Sequence, residues 1–262
     1  MKNLIIITLF IAIAGLITLN SKPLDSMPKS TVNPVKESKP TEVVSVAKSL
    51  YKDLNLEGIL KFDVFEKAYN GYVYLKPQFR NSDIITVIDF SLPSTSKRMY
   101  VIDITQKKLL YHTIVSHGKN SGELYATNFS NRHGSLQSSL GFFMTENTYQ
   151  GSNGYSLVLN GLEKNINDQA KARAVVIHGA DYCNQRVIQN LGRLGRSYGC
   201  PALPRDLNAP IINTIKNGTM LFIYAEDKGY LASSKVLNSI EPTMLAQGAE
   251  VDDLHQQAAV MD

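Results

Sequence analysis

The chain has 262 residues, of which 44% are hydrophobic and 19% charged. That balance suits one substantial domain with appendages and excludes a globally disordered chain. Its net charge of +4 is small and scattered, which argues against a nucleic-acid partner and favours at most a polyanionic matrix or membrane surface. Tryptophan is absent and thirteen tyrosines outnumber nine phenylalanines, as suits a β-rich domain with polar-tipped aromatics at its surface.

Residues 1–20 read as an export signal. Lys2 gives a short positive start, and the uncharged run from Leu4 to Leu19 is broken only by Thr8, Gly15 and Thr18. No small-x-small cleavage site follows Leu19, and no cysteine stands near it for lipid attachment. A cleaved signal peptide and a retained membrane anchor therefore both fit, and both place the rest of the chain outside the cytoplasm. Residues 21–40 form a spacer rich in Lys, Pro and Ser, with Pro23, Pro28, Pro34 and Pro40. Val43, Val46, Ala47, Leu50, Tyr51 and Leu54 recur at helical spacing, so a helix is predicted from near Thr41 and a second over 59–68. So short a stretch makes a poor core alone, and 41–82 is expected to pack on the main domain.

From Ile84 onward the pattern changes to short apolar or alternating runs. Strands are predicted over 84–90, 99–104, 109–115, 141–145, 155–159, 174–178 and 219–224, separated by Gly, Asn and Ser clusters. One helix is expected from Asn208 as its cap, with Pro210 in the first turn and Gly218 past the end, and a shorter one over 184–191. Many short strands with few helices point to a mostly-β sandwich or partly closed barrel over 83–226. Residues 227–262 carry Glu241, Glu250, Asp252 and Asp253 among few large apolar residues and read as a loosely held acidic tail.

Two segments carry chemistry. Ala174-Val-Val-Ile-His178-Gly179 is an apolar strand that delivers a histidine at its end, where a rigid element can position it. Gly195-Arg-Ser-Tyr-Gly-Cys200-Pro201 is a glycine-punctuated loop that delivers a cysteine. Gly195 and Gly199 permit close approach and positive φ, and consecutive backbone N–H groups in such a turn can hold an oxyanion. Pro201 pushes Cys200 toward extended geometry, so no helix dipole activates the thiol. The expected activator is an ion pair with His178, which in comparable pairs takes a thiol from ~8.5 to roughly 3–4.

On these residues the chain resembles the L,D-transpeptidases of bacterial cell walls, whose signature is a His-Gly followed by Ser-x-Gly-Cys. Here these are His178-Gly179 and Ser197-Tyr198-Gly199-Cys200. The resemblance is closest to the murein L,D-transpeptidase catalytic domain subfamily. It extends to Ile88-Asp-Phe-Ser-Leu-Pro-Ser94, Ser116-His-Gly-Lys-Asn-Ser-Gly122, Ser138-Ser-Leu-Gly141, Thr148-Tyr-Gln-Gly151, Gly154-Tyr-Ser-Leu157 and Leu194-Gly-Arg-Ser-Tyr-Gly-Cys-Pro201, covering about residues 84–225.

The resemblance implies the L,D-transpeptidase fold, no cofactor, and a peptidoglycan stem tetrapeptide as substrate. Cys200 would attack the carbonyl of its third residue, release the terminal D-alanine and pass the acyl group to an amine of a second stem. His178 would be the base, and the Gly179 carbonyl its orienting partner in place of a side-chain acid. The N–H groups of Tyr198, Gly199 and Cys200 would form the oxyanion hole, and Ser197 would shape the loop or touch substrate. Many family members carry an arginine two positions after the cysteine, where this chain has Ala202. Arg193, Arg196 or Arg205 is then expected to supply the positive charge for a substrate carboxylate, and His117 to line the site.

Other readings compete. Cys183 and Cys200 are the only cysteines, and a disulfide between them would extinguish the nucleophile. A metal-dependent wall peptidase could use His178 and Asp181, but no paired His spacing appears. An L,D-carboxypeptidase would let water resolve the same thioester, and a wall-binding module would carry the site inactive. Oligomeric state is left open.

Overall fold

The computed structural model describes residues 46–239. The signal or anchor of 1–20, the spacer of 21–40 and the end of the acidic tail lie outside the described residues. Helix α1 is Val46–Asp53 and α2 is Phe62–Leu75. Val64, Phe65, Ala68, Gly71, Tyr72 and Leu75 form the buried stripe of α2, spaced at three and four residues as a core-facing helix requires. The helix runs seven residues past its predicted end. A Cβ at Gly71 would fall 2.1 Å from the tip of the Phe142 ring, so the glycine admits an aromatic from the sheet. That close packing offsets a propensity cost of ~1 kcal/mol.

The strands are β1 Ile84–Asp89, β2 Met99–Asp103, β3 Lys108–Thr113, β4 Gly141–Gly151, β5 Gly154–Gly161, β6 Val176–Gly179, β7 Ala202–Leu203 and β8 Met220–Tyr224. They form a single curled sheet in the order β3-β2-β1-β8-β4-β5-β6-β7. The mostly-β expectation holds in its partly-closed-barrel form, with no second sheet layer among the described residues. β1 pairs parallel with β8 and β6 parallel with β7, while the other pairs are antiparallel. Every residue of β1, β2 and β8 is buried, which explains their unbroken apolar runs.

Differences from the sequence reading have local causes. β4 continues to Gly151 through an irregularity between Thr145 and Thr148, and Gly151 pairs with Gly154 across a tight turn to β5. β6 starts two residues later than predicted, because Ala174 has φ +53° and cannot extend the strand. Helix α3, Gln185–Leu191, matches expectation: Asn184 accepts from Val187 N at its start, and Gly192 closes it in the left-handed region. Helix α4, Arg205–Ile215, is capped at Pro204, four residues before the expected Asn208, and holds Pro210 inside. Asn208 is not its cap, since the Asn208 amide donates to Tyr155 O at 2.8 Å.

The start of the acidic tail is anchored rather than loose. Residues Lys228–Ser233 and Lys235–Asn238 form α5 and α6. Tyr230 Oη donates to Glu163 Oε2 at 3.2 Å, and Ser234 Oγ donates to Glu163 Oε1. The same carboxylate accepts from Phe142 N at 2.8 Å. One buried acid thus ties the C-terminal helices to β4, a link that composition does not reveal.

Candidate active site

Strand β6 carries His178 to the sheet's end between two neighbours, opposite Ser156 of β5 and Ala202 of β7. His178 is buried, with Nδ1 3.1 Å from Gly179 O. A carbonyl can only accept, so Nδ1 carries the proton and Nε2 keeps its lone pair. Burial holds the imidazole below its ordinary pKa, and Arg205 pushes the same way. Space at Gly179 is tight: a Cβ there would lie 3.1 Å from Asn208 Cβ, so the glycine lets α4 lie close against the histidine-bearing strand.

The cysteine loop is braced by two other segments. Ser116 and Ala202 exchange backbone hydrogen bonds, Ser197 N donates to His117 O, and Lys119 N donates to Ser197 O. Ser197 Oγ donates to Cys200 O at 2.6 Å and accepts from Gly199 N at 3.0 Å, closing the turn on itself. Ser138 Oγ accepts from Gly118 N and donates to Gly199 O, each at 3.0 Å. A Cβ at Gly118 would lie 2.9 Å from Gly199 Cα, and one at Gly199, whose φ is +127°, would lie 2.9 Å from Gln137 O. The Ser116–Gly122 and Ser138–Gly141 blocks of the sequence are thus the walls that hold the cysteine loop.

Cys200 is half-buried. Its Sγ lies 3.7 Å from Ala174 O, to which the thiol donates, and 3.5 Å from Val176 N, from which it accepts. The pairing of His178 with Ala202 brings Cys200 and His178 to one end of the sheet, but among the described residues no hydrogen bond joins them. Burial raises the thiol above its ordinary value, against smaller lowering effects of Val176 N–H and Arg173. The expected ion pair is therefore absent from this state. Burial penalises the charged form of both groups, so the pair rests as neutral thiol and neutral imidazole.

Other expectations need correcting. The Gly199 N–H is engaged by Ser197 Oγ, whereas Tyr198 N and Cys200 N have no hydrogen-bond partner among the described residues. His117 lines no open site: it is fully buried, with Nδ1 2.8 Å from Arg98 Nη2 and Nε2 3.2 Å from Gly122 O. Arginine only donates, so Nε2 bears the proton; burial and the Arg98 charge hold the ring neutral with a pKa lowered to about 4. Arg196 is tied to Lys119 O, Gly122 O and Glu123, Arg193 to Glu123, and Arg205 to Asp181, so all three arginines already face carboxylates. Tyr198 is 73% exposed, with Lys119 Nζ 4.7 Å over its ring. Both cysteines are free, and Cys183 is buried with its thiol pushed up to about 11.

Sequence reasoning missed Arg173 and Arg98. Arg173 Nη1 donates to Ser130 O and Ser139 Oγ, and Nη2 to Ser135 Oγ and Gln137 O. Its position three residues ahead of β6 gave no sign that it would sit beside the cysteine loop. Arg98 is buried, donates to Val115 O and Leu92 O, and lies 4.7 Å over the Phe90 ring. Among the described residues no group of three or more His, Cys, Asp or Glu side chains gathers as a metal site would.

A curled sheet thus brings a histidine bonded to a backbone carbonyl and a cysteine on a glycine-rich turn to the same end. Residues 56–224, more than half of the chain, match the family model described as L,D-transpeptidase catalytic domain, and the chain belongs to that family. The solved structure of the L,D-transpeptidase LdtMt1 with imipenem shares 15% identity over 54% of this chain and 59% of that one, with a TM-score of 0.34. An L,D-transpeptidase from Mycobacterium smegmatis shares 14% over 55% and 59%, with a TM-score of 0.35. One from Enterococcus faecium shares 13% over 54% and 50%, with a TM-score of 0.34. The chain thus spans less than two thirds of the length of these structures. No curated protein sequence matches it.

Proposed function

We propose that the chain is a cysteine-dependent L,D-transpeptidase of peptidoglycan stem peptides, working outside the cytoplasm, with Cys200 as nucleophile and His178 as base. The observation that carries this reading is the parallel pairing of β6 with β7, which sets His178 and the Cys200 loop on adjacent rungs at one end of the sheet. With Nδ1–H held by Gly179 O, Nε2 is the atom that takes the thiol proton. The sulfur then attacks the carbonyl carbon of the third stem residue, and the oxyanion faces the N–H groups of Tyr198 and Cys200. Collapse breaks the bond to the terminal D-alanine, whose amine takes the proton from His178, leaving a thioester. An amine of a second stem attacks that thioester, gives its proton to Nε2 and forms the cross-link as the thiol is restored.

Resting neutral groups suit this sequence, because proton transfer then coincides with attack on a bound carbonyl. An ordered acceptor amine outcompetes water when its effective molarity approaches ~10⁵ M. Incubating the protein with a stem tetrapeptide and rising concentrations of a second stem should give cross-linked dimer. Tripeptide as the only product at every acceptor concentration would make it an L,D-carboxypeptidase instead.

A further inference from the structure

Ala202 stands where many family members carry an arginine, and Arg193, Arg196 and Arg205 are already paired with carboxylates. Arg173 differs from all three. Its four Nη protons are held by two carbonyls and two serine hydroxyls of the 130–139 loop. Among the described residues no carboxylate lies within salt-bridge distance of it. A fixed guanidinium with only neutral acceptors projects its charge, and partial burial limits how far water screens it. The field falls on the cysteine loop: a Cβ at Gly199 would lie 3.6 Å from Arg173 Nη2. The residue after Arg173 is Ala174, which accepts the Cys200 thiol from a left-handed backbone at φ +53°.

We propose that Arg173 is a positioning residue for Cys200, supplying in this chain the fixed positive charge that favours the thiolate and pinning the 130–139 loop against the cysteine turn. Its donors are spent on the loop, so it works through the field at Cys200 rather than by grasping substrate. The same charge opposes the burial that otherwise holds the thiol neutral. This inference rests on the reading of Cys200 as nucleophile, but its test needs no peptidoglycan, so the two can fail separately.

The test is the pH dependence of Cys200 alkylation by iodoacetamide, followed by mass spectrometry in a Cys183→Ala background. Arg173→Gln keeps an amide donor for the loop and removes the charge; Arg173→Lys keeps the charge with fewer donors. The alkylation rate at neutral pH should fall about tenfold in R173Q and its midpoint should move to higher pH, while R173K should stay near the parent. Superimposable profiles for parent and a folded R173Q, or an equal shift in R173K, would overturn the proposal. Should R173Q fail to fold, R173K and Ser139→Ala decide, since each loosens the loop and keeps the charge: unmoved alkylation midpoints support the field at Cys200, and midpoints raised in both would overturn it.

Discussion

The Cys200 thiol donates to the carbonyl of Ala174 at 3.7 Å and makes no hydrogen bond to His178, although β6/β7 pairing carries both to the same end of the sheet. Ala174 holds that carbonyl from a left-handed backbone, φ +53°, a conformation that costs an alanine roughly 1–2 kcal/mol. The thiol is thus parked on strained backbone, and the Nε2 of His178 makes no hydrogen bond among the described residues.

The first prediction concerns that parked state. Burial raises Cys200 and lowers His178, so without substrate Cys200 should alkylate with a midpoint at or above the free-thiol value of ~8.5. His178→Gln should barely move that midpoint while lowering turnover at least ~10³-fold. A midpoint several units lower that rises in H178Q would show a preformed ion pair.

The second concerns the turn. Gly199→Ala combines a φ of +127° with a Cβ 2.9 Å from Gln137 O, so the loop must shift or strain by about 1–2 kcal/mol. Activity should drop at least ~10²-fold, because misplacing the reacting atom by ~1 Å has that effect. Circular dichroism should show the sheet intact. A G199A enzyme with parental kcat would mean that the turn does not set the position of Cys200.

The third concerns acid stability. The His117 pKa is lowered to about 4 in the fold from an unfolded value near 6.5. The unfolded chain therefore binds the proton first, so stability is full above pH ~6.5 and falls as pH drops toward 4, by about 3 kcal/mol in all. His178 adds to the same slope, since its pKa is also lowered. Urea titrations at stepped pH should show this limb, and it should be shallower in His117→Asn relative to that variant's own stability at pH 7. An unchanged slope would remove the assignment to His117.

The fourth concerns the C-terminal anchor. Glu163→Ala would strip the partner from Phe142 N, Tyr230 Oη and Ser234 Oγ. Leaving buried donors unsatisfied costs ~1–3 kcal/mol each before relaxation, so a loss of about 3 kcal/mol is expected in urea denaturation, with earlier proteolysis after Asp227. A loss under ~1 kcal/mol would mean that α5 and α6 are held by apolar contacts alone.

The central strands and α3 were legible because local pattern decides them: apolar runs such as Met220–Tyr224 and the Asn184 cap with Gly192. His178 and Cys200 stand out in the sequence as candidates by their place beside glycines. What escaped depends on distant partners. The helix predicted over 59–68 runs on to Leu75 through Gly71, whose missing side chain makes room for Phe142 of a distant strand. Asn208 reads as a cap until Tyr155 is seen to accept its amide. His117 reads as a site lining until Arg98, nineteen residues upstream, is seen to occupy its ring nitrogen. The ion pair failed for the same reason, since spacing cannot show that the thiol finds a backbone carbonyl first.

The proposed reaction passes through an acyl-enzyme at Cys200. Intact-mass analysis of the protein after brief exposure to a peptidoglycan stem tetrapeptide tests this most directly. The predicted result is a mass increase equal to the tetrapeptide less one free D-alanine, located on the Cys200 peptide, lost in Cys200→Ala and kept in Cys183→Ala. An adduct on Cys183, or free D-alanine released without any dependence on Cys200, would contradict it, as would no adduct and no release at all.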